Sequence, residues 1–214
     1  MIVNLSEQNT IANQFVSELR DVHIQKDRMR FRRNLGRLGE VMAYEISKTF
    51  DYVEQETETP LGIAKTFLPQ NPIVIGTILR AGLPFHQGFL NYFDQADNAF
   101  ISAYRMHHKS GDFEIKIEYV SSPDLDGCVL ILVDPMLATG ASLKLSVDAL
   151  ANHGQPSAIH IATAIASANG LSYIKRVLPK VHVWMGALDE ELTAKSYIVP
   201  GLGDAGDLSF GGKL

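Results

Sequence analysis

The sequence predicts an α/β protein built on a doubly wound, mostly parallel sheet, and three observations carry that expectation. Cys128–Val133 and Ile73–Leu79 are continuous apolar runs rich in β-branched residues, as strands buried on both faces of a parallel sheet should be. After residue 70 such runs alternate with helical periodicity, the pattern of consecutive βαβ units. Three of the runs stop at chemically useful residues: Arg80, Arg105 and Asp134. In doubly wound sheets, ligands bind beyond the carboxyl ends of the strands near the switch in strand order.

Bulk properties narrow the class. At 214 residues and 46% hydrophobic content, the chain fits one domain, 1–214, with a substantial core. A formal net charge of −5 argues against a general nucleic-acid binder. The single cysteine, Cys128, lies in a predicted core strand and reads as a small buried hydrophobe in a reducing compartment. The first residues lack the basic region and apolar stretch of a signal peptide. No apolar run reaches the ~18 residues that span a bilayer. The expectation is a cytoplasmic protein with neither membrane nor nucleic acid as partner.

Taken in order, Ser6 is the expected N-cap of a helix with Ile11, Phe15, Val16 and Leu19 on one face. A longer helix is predicted from about Asp27 to Ser47, with Phe31, Leu35, Leu38, Met42 and Ile46 at helical spacing. It carries Arg28, Arg30, Arg32, Arg33 and Arg37, a cluster that fits either RNA or anion binding or an interface face of an amphipathic helix. With no interleaved exposed aromatics and an acidic whole, the interface reading is preferred. Asp51–Pro60 reads as an exposed strand or arm, closed by turn chemistry at Thr59-Pro60-Leu61-Gly62. Ile73–Leu79 ends at Arg80-Ala81-Gly82, and Leu83-Pro84 opens a helix with Phe85, Phe89, Leu90 and Phe93 on its apolar side.

Asn98–Tyr104 is the next predicted strand, ending at Arg105, and Phe113–Tyr119 alternates like a half-exposed strand. The polar stretch between them, including His107, His108 and Lys109, suits a flexible β-hairpin. Ala158–Ala166 and Val181–Gly186 read as strands, with a helix over Gly170–Leu178 starting near Asn169. The Tyr197–Asp207 stretch is too rich in glycine to be expected as regular structure.

The densest chemistry follows Cys128–Val133. The strand ends at Asp134-Pro135, a small-residue loop Met136-Leu137-Ala138-Thr139-Gly140-Ala141-Ser142 follows, and a helical pattern begins with Leu143, Val147 and Leu150. Strand, tight loop and helix start present backbone N–H groups and a positive dipole end to one point, a seat for a phosphate. Thr139 and Ser142 can add hydroxyl donors, and Asp134 is an acceptor for sugar hydroxyls or a hydrated cation. A strand with a Thr-Gly turn occurs in many α/β proteins; the full pattern Asp-x-x-x-Ala-Thr-Gly-x-Ser is far more specific. Two arginines at the same sheet edge suggest a ligand with several phosphates, since the guanidinium fork matches phosphate oxygens.

The pattern Val133–Gly140 resembles the phosphoribosyl-pyrophosphate loop of the type I phosphoribosyltransferases, and its Asp-Pro resembles the uracil phosphoribosyltransferase branch. Ile78–Leu83 is similar to that family's pyrophosphate loop, Ala103-Tyr104-Arg105 to its second donor-binding position, and Tyr197–Asp207 to its uracil-binding segment. The resemblance runs from the basic helix to the C-terminus. It implies a sheet with N-terminal helices, a flexible hairpin and a C-terminal base-binding hood. It further implies transfer of phosphoribosyl from phosphoribosyl pyrophosphate (PRPP) to uracil, giving UMP and pyrophosphate. Arg80 and Arg105 would grip pyrophosphate, Asp134 the ribose hydroxyls, and Pro135, Met136, Leu137, Ala138, Thr139, Gly140, Ala141 and Ser142 would form the donor loop. Ile198, Gly203 and Ala205 would read uracil through backbone groups, with glycine allowing close approach. Asp204 would contact the donor and is the hypothetical helper in catalysis, alongside Arg80, Arg105 and Asp134.

Departures from the family pattern are informative. Pro135 stands where most type I enzymes have a second acid, so no residue set is assigned as metal ligands and magnesium would be held mainly by PRPP and water. Ala141 replaces a common glycine, and His107-His108-Lys109 replaces acidic residues. No residue is an evident general base for uracil N1, which leaves positioning and leaving-group stabilisation as the sources of rate. The family points to a homodimer or homotetramer, with GTP as effector in some members. The rival readings are a transferase for orotate or a purine, and an RNA-binding pyrimidine regulator on the same fold, which the arginine cluster alone supports.

Overall fold

Alternation along one central strand sets the architecture. In β7 (Val129–Val133), Val129, Ile131 and Val133 enter one buried apolar cluster while Leu130 and Leu132 enter another. The strand is therefore covered on both faces, as its unbroken apolar sequence requires. The computed structural model describes residues 1–107 and 113–212, the side chains of 104–107 and 113–115 excepted.

On the first face lie α1 (Ile11–Arg20), α2 (Arg28–Ser47) and α3 (Gly82–Leu90). Phe31, Leu35, Leu38, Met42 and Ile46 of α2 are all buried there, with Phe85 and Phe89 of α3. The second face is covered by α4 (Ala141–Leu150) and α5 (Ala168–Val177), through Leu143, Val147, Leu150 and Ile174.

The remaining strands of the main sheet are β1 (Ile2–Asn4), β4 (Ile73–Leu79), β5 (Asp97–His107), β6 (Phe113–Ser121), β8 (Met136–Leu137), β9 (Ala158–Ser167) and β10 (His182–Asp189). They lie in the order β1-β10-β9-β7-β4-β5-β6, with β8 also paired to β9. Every pairing is parallel except β5 with β6. Two small ribbons stand apart: β2 (Tyr52–Thr59) with β3 (Gly62–Pro69), and β11 (Glu191–Leu192) with β12 (Ile198–Val199). A short helix, α6 (Ala205–Phe210), closes the described chain.

Several expectations are corrected. Thr10, not Ser6, caps α1 by accepting from the Ala12 N–H, while Ser6 sits in a 3-10 turn capped by Asn4. Ile11 is exposed rather than part of the apolar face. The arm predicted over Asp51–Pro60 returns as a second strand, giving a hairpin exposed on nearly its whole length. Strand β5 does not stop at Arg105 but runs to His107, with Arg105 opposite Ile115. Ser167, not Asn169, starts α5 by accepting from the Gly170 N–H. The glycine-rich terminal stretch is in part regular, holding β12 and the start of α6, because Asp204 caps that helix and Ile198, Leu202 and Ala205 anchor it in the first apolar cluster.

Candidate active site

Neighbouring strands β4 and β7 are left by helices on opposite faces, α3 after β4 and α4 after β7. Their carboxyl ends are thus the switch point of the sheet, where a crevice opens. The two loops that begin there are Arg80-Ala81 and Asp134–Gly140. The Leu79–Arg80 peptide is cis.

The second loop is docked on β9 group by group. Asp134 N–H donates to Ala162 O at 3.1 Å, and the Pro135 carbonyl accepts from Ala164 and Ile165 N–H at 3.1 and 3.0 Å. Leu137 N–H donates to the buried Thr163 Oγ1 at 3.1 Å. Ser167 Oγ donates to Ala138 O at 2.5 Å and accepts from Gly170 N–H at 2.9 Å. A Cβ on Gly170 would lie 2.3 Å from Ala138 O, so only glycine lets α5 approach the loop this closely.

Gly140 turns the chain into α4 with φ +80°, a left-handed conformation that favours glycine. No side chain caps α4. Its first turn begins at the end of the loop, where the positive end of the helix dipole lies. Ala141 N–H leans on Thr139 Oγ1 at 3.4 Å, and Met136 N–H on Asp134 Oδ1 at the same distance.

The terminal segment meets this crevice from the side of α2. Ile198, Leu202 and Ala205 bury their side chains in the first apolar cluster, against which Met136 and Ala138 also pack. Ile198 and Ala205 thereby offer backbone rather than side chain outward, while Gly203 and Asp204 are exposed. Asp204 Oδ1 accepts from Asp207 N–H at 3.0 Å. Arg80 Nη2 reaches Asp207 Oδ1 at 3.3 Å and Nη1 reaches Gly211 O at 3.4 Å. A Cβ on Gly206 would sit 3.1 Å from Asp204 Oδ1 and 3.4 Å from Arg80 Nη2, so Arg80, Asp204 and Asp207 share one small volume.

The structure therefore brings Arg80, the Asp134–Ser142 loop and the Ile198–Ala205 segment to one edge of the sheet. The Arg105 side chain, His108 and Lys109 lie outside what is described. Among the described residues, no group of three or more His, Cys, Asp and Glu side chains could hold a metal.

Sequence reasoning missed the supports. Thr163, Ser167 and Gly170 hold the loop, and the only local signal was a Ser-x-x-Gly at a strand end. Three of the five arginines of α2, namely Arg30, Arg32 and Arg37, make contacts within the chain. Arg30 pairs with Glu18 at 2.7 Å, and Arg32 Nη1 donates to Ser209 O at 2.7 Å while lying over the Phe210 ring. Arg37 stacks over Phe15 and donates to Asn34 Oδ1.

Several known proteins are similar to the chain over nearly its whole length. A uracil phosphoribosyltransferase of Porphyromonas gingivalis is 53% identical over 214 residues, covering 100% of this chain and 99% of the relative. One from Thermococcus gammatolerans is 36% identical, covering 97% and 92%. A solved protein of Aquifex aeolicus superposes with a TM-score of 0.89 at 32% identity, covering 99% and 98%. An orotate phosphoribosyltransferase of Mycobacterium tuberculosis, at TM-score 0.50 and 14% identity over 86% of this chain and 92% of that one, shares the fold. The family model for uracil phosphoribosyltransferase matches residues 6–212. A family model covering nearly the whole chain and a full-length relative at 53% identity show that the chain belongs to the uracil phosphoribosyltransferase family.

Proposed function

We propose that the protein transfers the 5-phosphoribosyl group of PRPP to uracil, releasing UMP and pyrophosphate. The observation that carries this reading is the meeting of Arg80, the Asp134–Ser142 loop and the backbone of Ile198–Ala205 at one switch point. In this reading the loop and the α4 N-terminus seat the 5′-phosphate and Asp134 holds ribose hydroxyls. Arg80, with Arg105 from β5, takes the negative charge that grows on pyrophosphate as the C1–O bond breaks. Uracil N1 forms the new bond to C1 as the C1–O bond breaks, and its proton passes to the departing pyrophosphate or to water. The backbone groups near Ile198, Gly203 and Ala205 hold the flat base over C1, which converts an encounter into a positioned reaction. Bound magnesium would neutralise charge on the leaving pyrophosphate. Asp204 is left to act on the donor from the start of α6.

The finer assignments belong to the same proposal. A purine nucleotide effector such as GTP would be sought at the open groove between α2 and α3, where Arg33 and Gln87 supply polar groups. The β2–β3 hairpin exposes Tyr52, Val53, Leu61, Ile63, Phe67 and Leu68. A two-stranded ribbon is marginal alone, so a second copy covering it supports the dimer or tetramer. No helix among the described residues is long and apolar enough to cross a membrane, which fits a cytoplasmic enzyme. The RNA-regulator alternative loses its support, because Arg30, Arg32 and Arg37 are spent on internal contacts.

The test is UMP formation from uracil and PRPP with magnesium, with orotate, hypoxanthine and cytosine run beside it. Turnover with uracil alone is expected and is abolished by a chelator. Turnover of another base in preference, or of none by folded protein, overturns the proposal.

A further inference from the structure

The turn at Pro200-Gly201 leads from β12 into Gly203, Asp204 and Ala205, and it hangs on two residues from elsewhere in the chain. Arg20 is the last residue of α1 and Asp189 the last of β10. The Arg20 guanidinium donates in bidentate fashion to Asp189, Nη1 to Oδ2 at 2.8 Å and Nη2 to Oδ1 at 2.7 Å. The same pair takes both polar groups of one residue of the turn. Gly201 N–H donates to Asp189 Oδ2 at 2.9 Å, and Arg20 Nη1 donates to Gly201 O at 3.0 Å.

This closed ring of hydrogen bonds is buried on the Asp189 and Gly201 side, while the Arg20 side chain keeps 23% of its surface exposed. Asp189 is 7% exposed, and Gly201 and Leu202 are buried. Gly201 has φ +57°, and a Cβ there would lie 2.1 Å from Ile198 O, so the turn is folded tightly back on the residue that opens the segment. Charge-assisted bonds of this kind are stronger than neutral ones, and a guanidinium fork fixes direction as well as distance.

We infer that the Arg20–Asp189 pair is a positioning device for base recognition, holding the Ile198–Ala205 backbone at the spacing uracil needs. The inference rests on the uracil reading and extends it to residues that face away from the ligand. A base read by backbone donors and acceptors gains specificity only if that backbone is rigid, because side chains cannot correct a displaced peptide. The pair supplies that rigidity from α1 and β10, which do not contribute to the donor loop.

Three variants test it: Asp189→Asn, Arg20→Lys and, as control, Glu18→Gln. Glu18 forms an ion pair of similar length with Arg30 between α1 and α2 and does not touch the turn. Asp189→Asn is expected to raise KM for uracil about tenfold and KM for PRPP by a clearly smaller factor, since of this segment only Asp204 is assigned to the donor. Arg20→Lys keeps the charge but loses the fork, and gives a smaller rise in the same constant. Glu18→Gln lowers Tm without moving either KM. Equal rises in both KM values for Asp189→Asn, or a rise in uracil KM for Glu18→Gln, would show a general structural role and overturn the inference. Wild-type protein that turns over no uracil would overturn the proposed function instead. Amide hydrogen exchange then decides the latch: faster exchange across Leu202–Asp207 in Asp189→Asn supports it, and unchanged exchange refutes it.

Discussion

Arg80 and Asp207 lie 3.3 Å apart, Nη2 to Oδ1, joining the loop after β4 to the first turn of α6. Their side chains are 36% and 49% exposed, so the pair itself is worth under about 1 kcal/mol. Arg80→Ala should therefore leave Tm within error of wild type. Loss of a guanidinium aimed at developing pyrophosphate charge should nonetheless cost about a hundredfold in kcat/KM for PRPP. Steady-state kinetics beside a thermal melt checks both halves, and a large fall in Tm would refute the argument.

The loop's support from α5 gives a second expectation. Gly170→Ala drives a Cβ toward Ala138 O, and Ser167→Ala removes the hydroxyl that bonds both Ala138 O and Gly170 N–H. Ser167→Ala should cost about 1–2 kcal/mol, since it deletes a buried hydrogen bond and the N-cap of α5 together. Both variants should raise KM for PRPP more than KM for uracil, a split that substrate titrations would show.

Asp204 combines two roles that substitution can separate. As N-cap of α6 its oxygen accepts from the Asp207 N–H, and asparagine caps nearly as well. Asp204→Asn should keep Tm and lose activity if the charge serves the donor. Asp204→Ala should lose activity and about 1 kcal/mol of stability besides. Equal kcat for Asp204→Asn and wild type would remove Asp204 from the chemistry.

Acid stability should turn on a site far from the crevice. His160 Nδ1 accepts from Trp184 Nε1–H at 3.1 Å, which requires that nitrogen to be unprotonated. Burial pushes the His160 pKa from 6.5 down to about 4, with the charge of a protonated His182 and the N-terminal amine acting in the same direction. The depressed value means that the unfolded chain binds the proton more readily. The associated stability is present in full above about pH 6.5 and is lost as the pH falls toward about 4, reaching about 3 kcal/mol. Urea titrations between pH 7 and 4 should show this slope, and His160→Gln should flatten it. Glu18, held down to about 2 mainly by its hydrogen bonds from Arg30 and Asn34, adds a second loss below about pH 4.5.

Helix α2 shows what periodicity alone could deliver. Phe31, Leu35, Leu38, Met42 and Ile46 were legible as one face, and all are buried, because burial of an apolar stripe is dictated by spacing along the chain. The same holds for β4 and β7, whose unbroken apolar runs demanded cover on both faces. The Asp134–Gly140 turn between β7 and α4 was legible because strand, small-residue loop and helix start are contiguous in sequence. At Ser6 local reading failed: the residue sits in a 3-10 turn capped by Asn4, and the helix begins only after Thr10, whose hydroxyl accepts from the Ala12 N–H. In the terminal stretch, glycine content spoke for loop, while buried Ile198, Leu202 and Ala205 made it strand and helix.

By itself, then, the sequence determined the fold class and the main alternation of strands and helices after residue 70, and it singled out Arg80, Asp134–Ser142 and Ile198–Ala205 as candidates for the chemistry. Only the tertiary structure decided which distant groups hold them: Thr163, Ser167 and Gly170 under the donor loop, Arg32 on the Ser209 carbonyl, and Arg20 with Asp189 around Gly201. The physical reason is that periodicity and turn chemistry act over a few residues. A hydrogen bond such as that between Arg20 and Asp189 closes a separation of 169 residues, and its partners become neighbours only when the sheet has assembled.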